Sequence, residues 1–201
     1  WFPGLDTAIA DGLAALEAEL GRRLGDPENP LLVSVRSGAP VSMPGMMDTV
    51  LNVGMSAAAA EGLGRRTGDE RFGWDTYRRF VEGYASIVAG APAATLQDLA
   101  GVVTGGRAWA DLGPAELAAA VPAWRQALAS AGHPIPDEPQ DQVAAAVRAV
   151  FASWHSDRAE VYRRREGISA ELNTAATVQA MVFGNLGDES GTGVVFTRDP
   201  S

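Results

Sequence analysis

The chain has 201 residues, 46% of them apolar, with 16 basic against 25 acidic side chains and a formal net charge of −9. The absence of cysteine excludes a disulfide framework, a thiolate zinc site and a cysteine nucleophile. The acidic balance argues against a general nucleic-acid binder, which needs a basic stripe to displace counterions. The first helix is expected from Asp6 as N-cap through Ile9, Leu13, Leu16, Leu20 and Leu24 until Gly25. The turn "GDPENP" then leads into "LLVSVR", a β-branched run that reads as a buried strand. Arg36 to Asn52 reads as a loop, rich in glycine, proline and methionine.

From about Ser56 to Ser156 the text is helical. "AAAAEGLGRR" opens the block, and "DTYRRFVEGYASIV" places Tyr77, Phe80, Val81, Tyr84, Ile87 and Val88 on one face. Pro114 suits the first turn of "PAELAAAVPAWRQALAS", whereas Pro122 inside it is expected to kink or split the helix. "QDQVAAAVRAVFASW" carries a buried stripe of Val143, Val147, Val150, Phe151 and Trp154, and a short helix is expected around Ala159 to Arg165. The period then changes: "TAATVQAMVFG" alternates like a strand, with "GVVFTR" as its expected hairpin or ladder partner across a glycine-rich turn.

A sheet interrupted by about 100 helical residues predicts an α+β chain with a helical subdomain inserted into an α/β one. The expected boundaries give 1–58 and 160–201 to the α/β parts and 59–159 to the insertion. A chain this long buries roughly 70% of its unfolded surface and needs no metal or disulfide staple. No apolar run approaches the roughly 18 residues of a membrane span, and "WFPGLDTAIAD" lacks the features of a signal peptide. A soluble cytoplasmic protein is therefore expected. The stop at "TRDPS", directly after a predicted strand, suggests part of something larger.

All 16 basic residues are arginines, so this chain alone cannot complete chemistry that needs a lysine. Two glycine-rich segments carry the candidate chemistry: "SGAPVSMPGMMD" and "GNLGDESGTG". Glycines let successive backbone N–H groups approach an anion, and a nearby arginine fork suits phosphate oxygens. Each segment is also an ordinary structural turn in composition, and neither fits G-x-x-x-x-G-K-[ST]. Each adjoins a predicted strand, on opposite sides of the helical block, so one sheet can bring both loops to one ligand. Asp48 reads as a cap rather than a metal ligand. His133 and His155 read as structural or solvent-facing, and "RRREG", Arg163 to Arg165, reads as a solvated helix end or a patch for an anion or partner domain.

"NPLLVSVRSGAPVSMPGMMDTVLNVG" and "TVQAMVFGNLGDESGTGVVFTRDPS" closely resemble the N-terminal nucleotide-binding domain of the pyruvate, phosphate dikinase family. "RFGWDTYRRFVEGYASIV" and "AVRAVFASWHSDRAEVYRRREGI" are similar to its helical subdomain, so the resemblance covers nearly the whole chain. The resemblance implies an incomplete ATP-grasp-like domain that binds ATP with Mg2+ and passes its β-phosphoryl, initially with the γ, to a histidine on a separate swivelling domain. A pyruvate-binding barrel would then use that phosphohistidine. The net reaction would convert ATP, phosphate and pyruvate to AMP, pyrophosphate and phosphoenolpyruvate, in a homodimeric kinase-type transferase. Carried over by position, Arg36 matches the arginine on the ATP phosphates and takes the catalytic role. Gly45, Met47, Thr192 and Gly193 match loop residues near those phosphates. The resemblance places the family's phosphate-binding lysine before this chain and its metal ligands after it. These 201 residues are therefore expected to bind no metal and to be inactive alone. The other reading is a naturally truncated, non-catalytic nucleotide-binding or interaction module of the same family.

Overall fold

Two glycines bound the first helix. In the computed structural model, which describes residues 3–41, 43–187, 189–193 and 195, α1 (Leu5–Leu20) lies between Gly4 and Gly21, both in the left-handed region at φ 88° and 62°. Asp6, expected as the cap, instead occupies the first helical turn, where a carboxylate complements the helix dipole. Leu24 falls beyond the helix in β1 (Arg23–Leu24), which pairs in parallel with β2 (Pro30–Leu31).

The main sheet has the order β4-β3-β5, with β3 (Val33–Ser37) antiparallel to β4 (Thr49–Val53) and to β5 (Ala176–Ala180). The expected Arg36 to Asn52 loop therefore ends early. Thr49–Val53 is a strand because Val50 and Val53 are completely buried and pair back onto β3. A register shift hides the usual alternation of this strand. As expected, strands on both sides of the helical block share one sheet. Strand β5 pairs with β3, its Thr177 opposite Arg36, and its expected partner "GVVFTR" lies mostly outside the described residues. Gly193 and Val195 of "GVVFTR" are not in a strand, and Val194 and 196–198 lie outside the described residues.

The helical block comprises α2 (Ala57–Thr67), α3 (Glu70–Ile87), α4 (Ala93–Thr104), a 3-10 turn at Trp109–Asp111, α5 (Pro114–Ser130) and α6 (Pro139–Ser153). The short α7 (Asp157–Glu166) follows. Local chemistry explains the starts. Ser56 Oγ accepts from Ala59 N at 3.1 Å, and the Asp69 carboxylate accepts from Phe72 N at 3.0 Å. Pro114 stands at the first position of α5, as predicted. Pro122 does not split that helix, which runs unbroken to Ser130. The hydrogen bond lost at Pro122 is outweighed by burial of Val121, Trp124 and Leu128 in the common core.

Helices α2 and α3 meet at glycines. A Cβ on Gly73 would lie 2.1 Å from the Ala60 carbonyl oxygen, and one on Gly64 2.9 Å from Glu70 Cα. One apolar cluster joins Leu13, the sheet valines, the aromatic face of α3 and the α6 stripe. Gln142, 1% exposed, ties α6 to the end of β4: its Oε1 accepts from Gly54 N at 3.0 Å, and its Nε2 donates to Pro136 O at 2.9 Å. Among the described residues, no helix is long and apolar enough to cross a membrane.

Candidate functional site

Strand β3 sends Val33 and Val35 into the core and leaves Arg36 exposed, flanked across the ladder by Thr49 and Thr177. Arg36 has no hydrogen-bonding or charged partner among the described residues. Its neighbour Thr49 lines a cleft of about 560 Å³. Strand β4 supplies Thr49, Leu51 and Asn52 to this cleft, α3 supplies Thr76 and Arg79, and the segment after β5 brings Met181, Asn185 and Thr192.

A bulge shapes the β4 wall. Val35 pairs with Val50 and Val33 with Val53, so Leu51 and Asn52 together face the single residue Ser34. Asn52 takes φ 58°, the one non-glycine positive φ among the described residues. Asparagine tolerates this region better than branched or bulky side chains do. The side chain is 6% exposed and lines the cleft, with no hydrogen-bond partner for its buried Oδ1. An amide buried without a partner is costly unless something else supplies the bond. The predicted loop hid this residue; the "NVG" sequence after a β-branched run was the available signal.

The glycine-rich segment folds back on itself. A Cβ on Gly184 would fall 2.0 Å from Thr192 Cγ2, so only glycine allows the two ends of the loop to touch. Across the cleft, Asp75 accepts from Arg79 Nε at 2.7 Å and from Arg78 Nε at 2.8 Å. Burial raises the Asp75 pKa, but the two arginine hydrogen bonds outweigh it and hold the carboxyl below its ordinary range. Arg79 thus shares its charge with an acid, whereas Arg36 does not.

The methionine-rich loop is anchored elsewhere. Met43, Met46 and Met47 join Trp154, Tyr162 and Ile168 in a second apolar cluster, and the Met47 sulfur is 3.9 Å from Ser153 Oγ. Gly45 takes φ 71° and is exposed, with open space around its Cα. Asp48 is not a cap, since a strand and not a helix follows it. Its carboxylate pairs with Arg158, whose Nε also donates to Met46 O at 3.1 Å. The solvated reading of "RRREG" fails at Arg163, which is 5% exposed, donates to Trp154 O at 2.5 Å and stands 4.2 Å from the Trp154 ring centroid. Arg164 and Arg165 remain exposed. His133 Nδ1 lies 2.9 Å from Ala89 O, and His155 is exposed at a helix end.

Of the positions singled out in the sequence, Thr192 lines the cleft and Arg36 adjoins it through Thr49. Gly45, Met47 and Gly193 are not among its lining residues. No group of three or more His, Asp or Glu converges among the described residues, and Asp48 is already engaged, so the described carboxylates do not fit a Mg2+ site.

The described residues thus form a mixed helix and sheet chain in which Arg36, without a partner among them, stands beside a mixed polar and apolar cleft, an arrangement consistent with an α+β nucleotide-binding domain. Residues 4–201 match the family described as pyruvate phosphate dikinase, AMP/ATP-binding domain, and the chain belongs to that family. It is 44% identical over 198 residues to the pyruvate, phosphate dikinase of Clostridium symbiosum, covering 96% of this chain and 23% of that protein. Pyruvate, phosphate dikinase 2 of Zea mays is 44% identical over 203 residues, covering 99% of this chain and 23% of its own length. The Giardia intestinalis pyruvate, phosphate dikinase is 43% identical over 204 residues, covering all of this chain and 23% of that protein. The chain thus spans less than a quarter of the length of these relatives.

Proposed function

We propose that this chain is the ATP-binding part of a pyruvate, phosphate dikinase and that its ATP phosphates lie over the outer face of β3. The observation that carries this reading is Arg36: a cation whose side chain has no partner among the described residues, one ladder step from a cleft that also holds Thr192. Phosphoryl transfer depends mainly on positioning the reacting groups and neutralising their charge. A guanidinium fork on a rigid strand does both for a phosphate. The Thr192 hydroxyl and Gly193 N–H supply neutral donors from the opposite loop, and Gly45 allows close backbone approach. Met47 fixes that second loop through its packing.

Mg2+ bound with ATP would neutralise phosphate charge, and none of the described residues is assigned to hold it. The acceptor is a histidine on a swivelling domain of the parent protein, which a pyruvate-binding barrel then discharges, in a cytoplasmic homodimer. The inserted helical subdomain (59–159) and the ATP-grasp-like organisation of 1–58 with 160–201 are parts of the same proposal. The test uses the full-length protein and radiolabelled ATP. Wild type should form a phosphohistidine, and Arg36→Ala should lower the rate of labelling at least 100-fold, as expected for loss of a charge-stabilising donor. Near-normal labelling in the variant would remove Arg36 from the mechanism.

A further inference from the structure

The segment after β5 has a second cleft on it. Met181 and Phe183 line the nucleotide cleft, and together with Leu186 they also wall a separate space of about 350 Å³. Its apolar side is completed by Leu32 and Leu63, and its rim by Arg22 and Arg66. The two arginines come from unrelated elements. Arg22 follows α1, and Arg66 lies in the last turn of α2.

Like Arg36, both stand outside the ion pairs found among the described residues. Acidic side chains outnumber basic ones 25 to 16. Arg65, next to Arg66, is taken by Glu28 at 2.8 Å, and Arg78, Arg79, Arg107, Arg125 and Arg158 each hold a carboxylate. Arg22 and Arg66 have no hydrogen-bonding or charged partner among the described residues, although both border one cleft. Both arginines stand at helix C-termini, where the dipole favours a cation, but the dipole gives no reason for two unrelated helices to bring their arginines to one cleft.

We propose that this cleft is a second binding site, separate from the nucleotide cleft, for a small organic oxyanion: a phosphate or carboxylate carried on a short apolar or aromatic body. The guanidinium groups take the oxyanion through paired N–H donors. The leucine, methionine and phenylalanine surface takes the body. A cleft with an apolar wall and a few convergent polar groups is the usual form of a small-molecule site. Inorganic phosphate alone satisfies the arginines but leaves that wall wet, so it should bind more weakly.

The experiment titrates the full-length protein, methyl-labelled at Met and Leu, with phenyl phosphate, benzoate and inorganic phosphate in turn. Phenyl phosphate and benzoate should give saturable shifts at Leu32, Leu63 and Leu186, with at least tenfold weaker binding for inorganic phosphate. Comparing the first two identifies which oxyanion is preferred. Arg22→Gln and Arg66→Gln should each weaken phenyl phosphate at least fivefold, with unchanged shifts elsewhere reporting an intact fold. Absence of saturation, or equal affinity in both variants, would overturn the site. Shifts confined to Leu51, in the other cleft, would also overturn it, since they would place the anion with the nucleotide. The ATP-labelling test above is independent of this result.

Discussion

At the scale of single residues, Asn52 and Gly184 show how backbone conformation shapes the cleft. Asn52 holds a left-handed φ of 58° at the bulge of β4. Glycine adopts that region freely, whereas alanine carries a Cβ penalty of about 1 kcal/mol or more. Asn52→Gly should therefore be more stable than Asn52→Ala by about 1 kcal/mol, read from urea denaturation midpoints at equal m-value. Equal midpoints would mean that the bulge relaxes when the side chain changes. Gly184 has a different constraint, because a methyl group there collides with Thr192. Gly184→Ala should displace the loop and weaken ATP binding by the full-length protein at least tenfold with little loss of melting temperature. An unchanged Kd would show that Thr192 is not needed in its present position.

At the scale of elements, the α2–α3 contact relies on closeness rather than bulk. Gly73→Ala should destabilise by about 1–3 kcal/mol, because the added methyl meets a backbone carbonyl that cannot rotate away. Gly12→Ala provides the control. It lies in α1 with nothing within 4 Å of the new Cβ, so it should stabilise by up to about 1 kcal/mol through helix propensity. Thermal or chemical denaturation of the pair separates steric from propensity effects. These elements also explain what was legible beforehand. Long 3.6-residue stripes made α3, α5 and α6 readable, and a sheet uniting distant strands was readable too. Strand β4 was not, because five residues with a two-for-one bulge give no period. Pro122 does not split α5, because burial of its neighbours outweighs a missing N–H. Of the site, Arg36 and Thr192 were legible through resemblance. Asn52, Thr76 and Arg79 were not, since only tertiary folding brings α3 to the cleft.

At the scale of the whole molecule, acidity is managed by pairing arginines with carboxylates, and Asp75 is the most enclosed example. Its folded pKa lies below the ordinary 3.8, so its two ion pairs contribute in full above that value. The contribution disappears as pH falls through the lower, folded pKa. Asp75→Asn should lower stability near neutral pH yet flatten the loss of stability below about pH 3.8, as followed by urea midpoints across pH. Parallel pH profiles for the two proteins would mean that other carboxylates carry the acid response. The sheet order β4-β3-β5 has a further consequence for how the domain breathes. Strand β3 exchanges hydrogen bonds on both sides, whereas β4 and β5 each have one side facing away from it. In deuterated water the amides of Val33 and Val35 should be the last in the sheet to exchange. They would mark the slowest opening unit, and Arg36, next along the same strand, would then be carried by the part of the sheet that opens last.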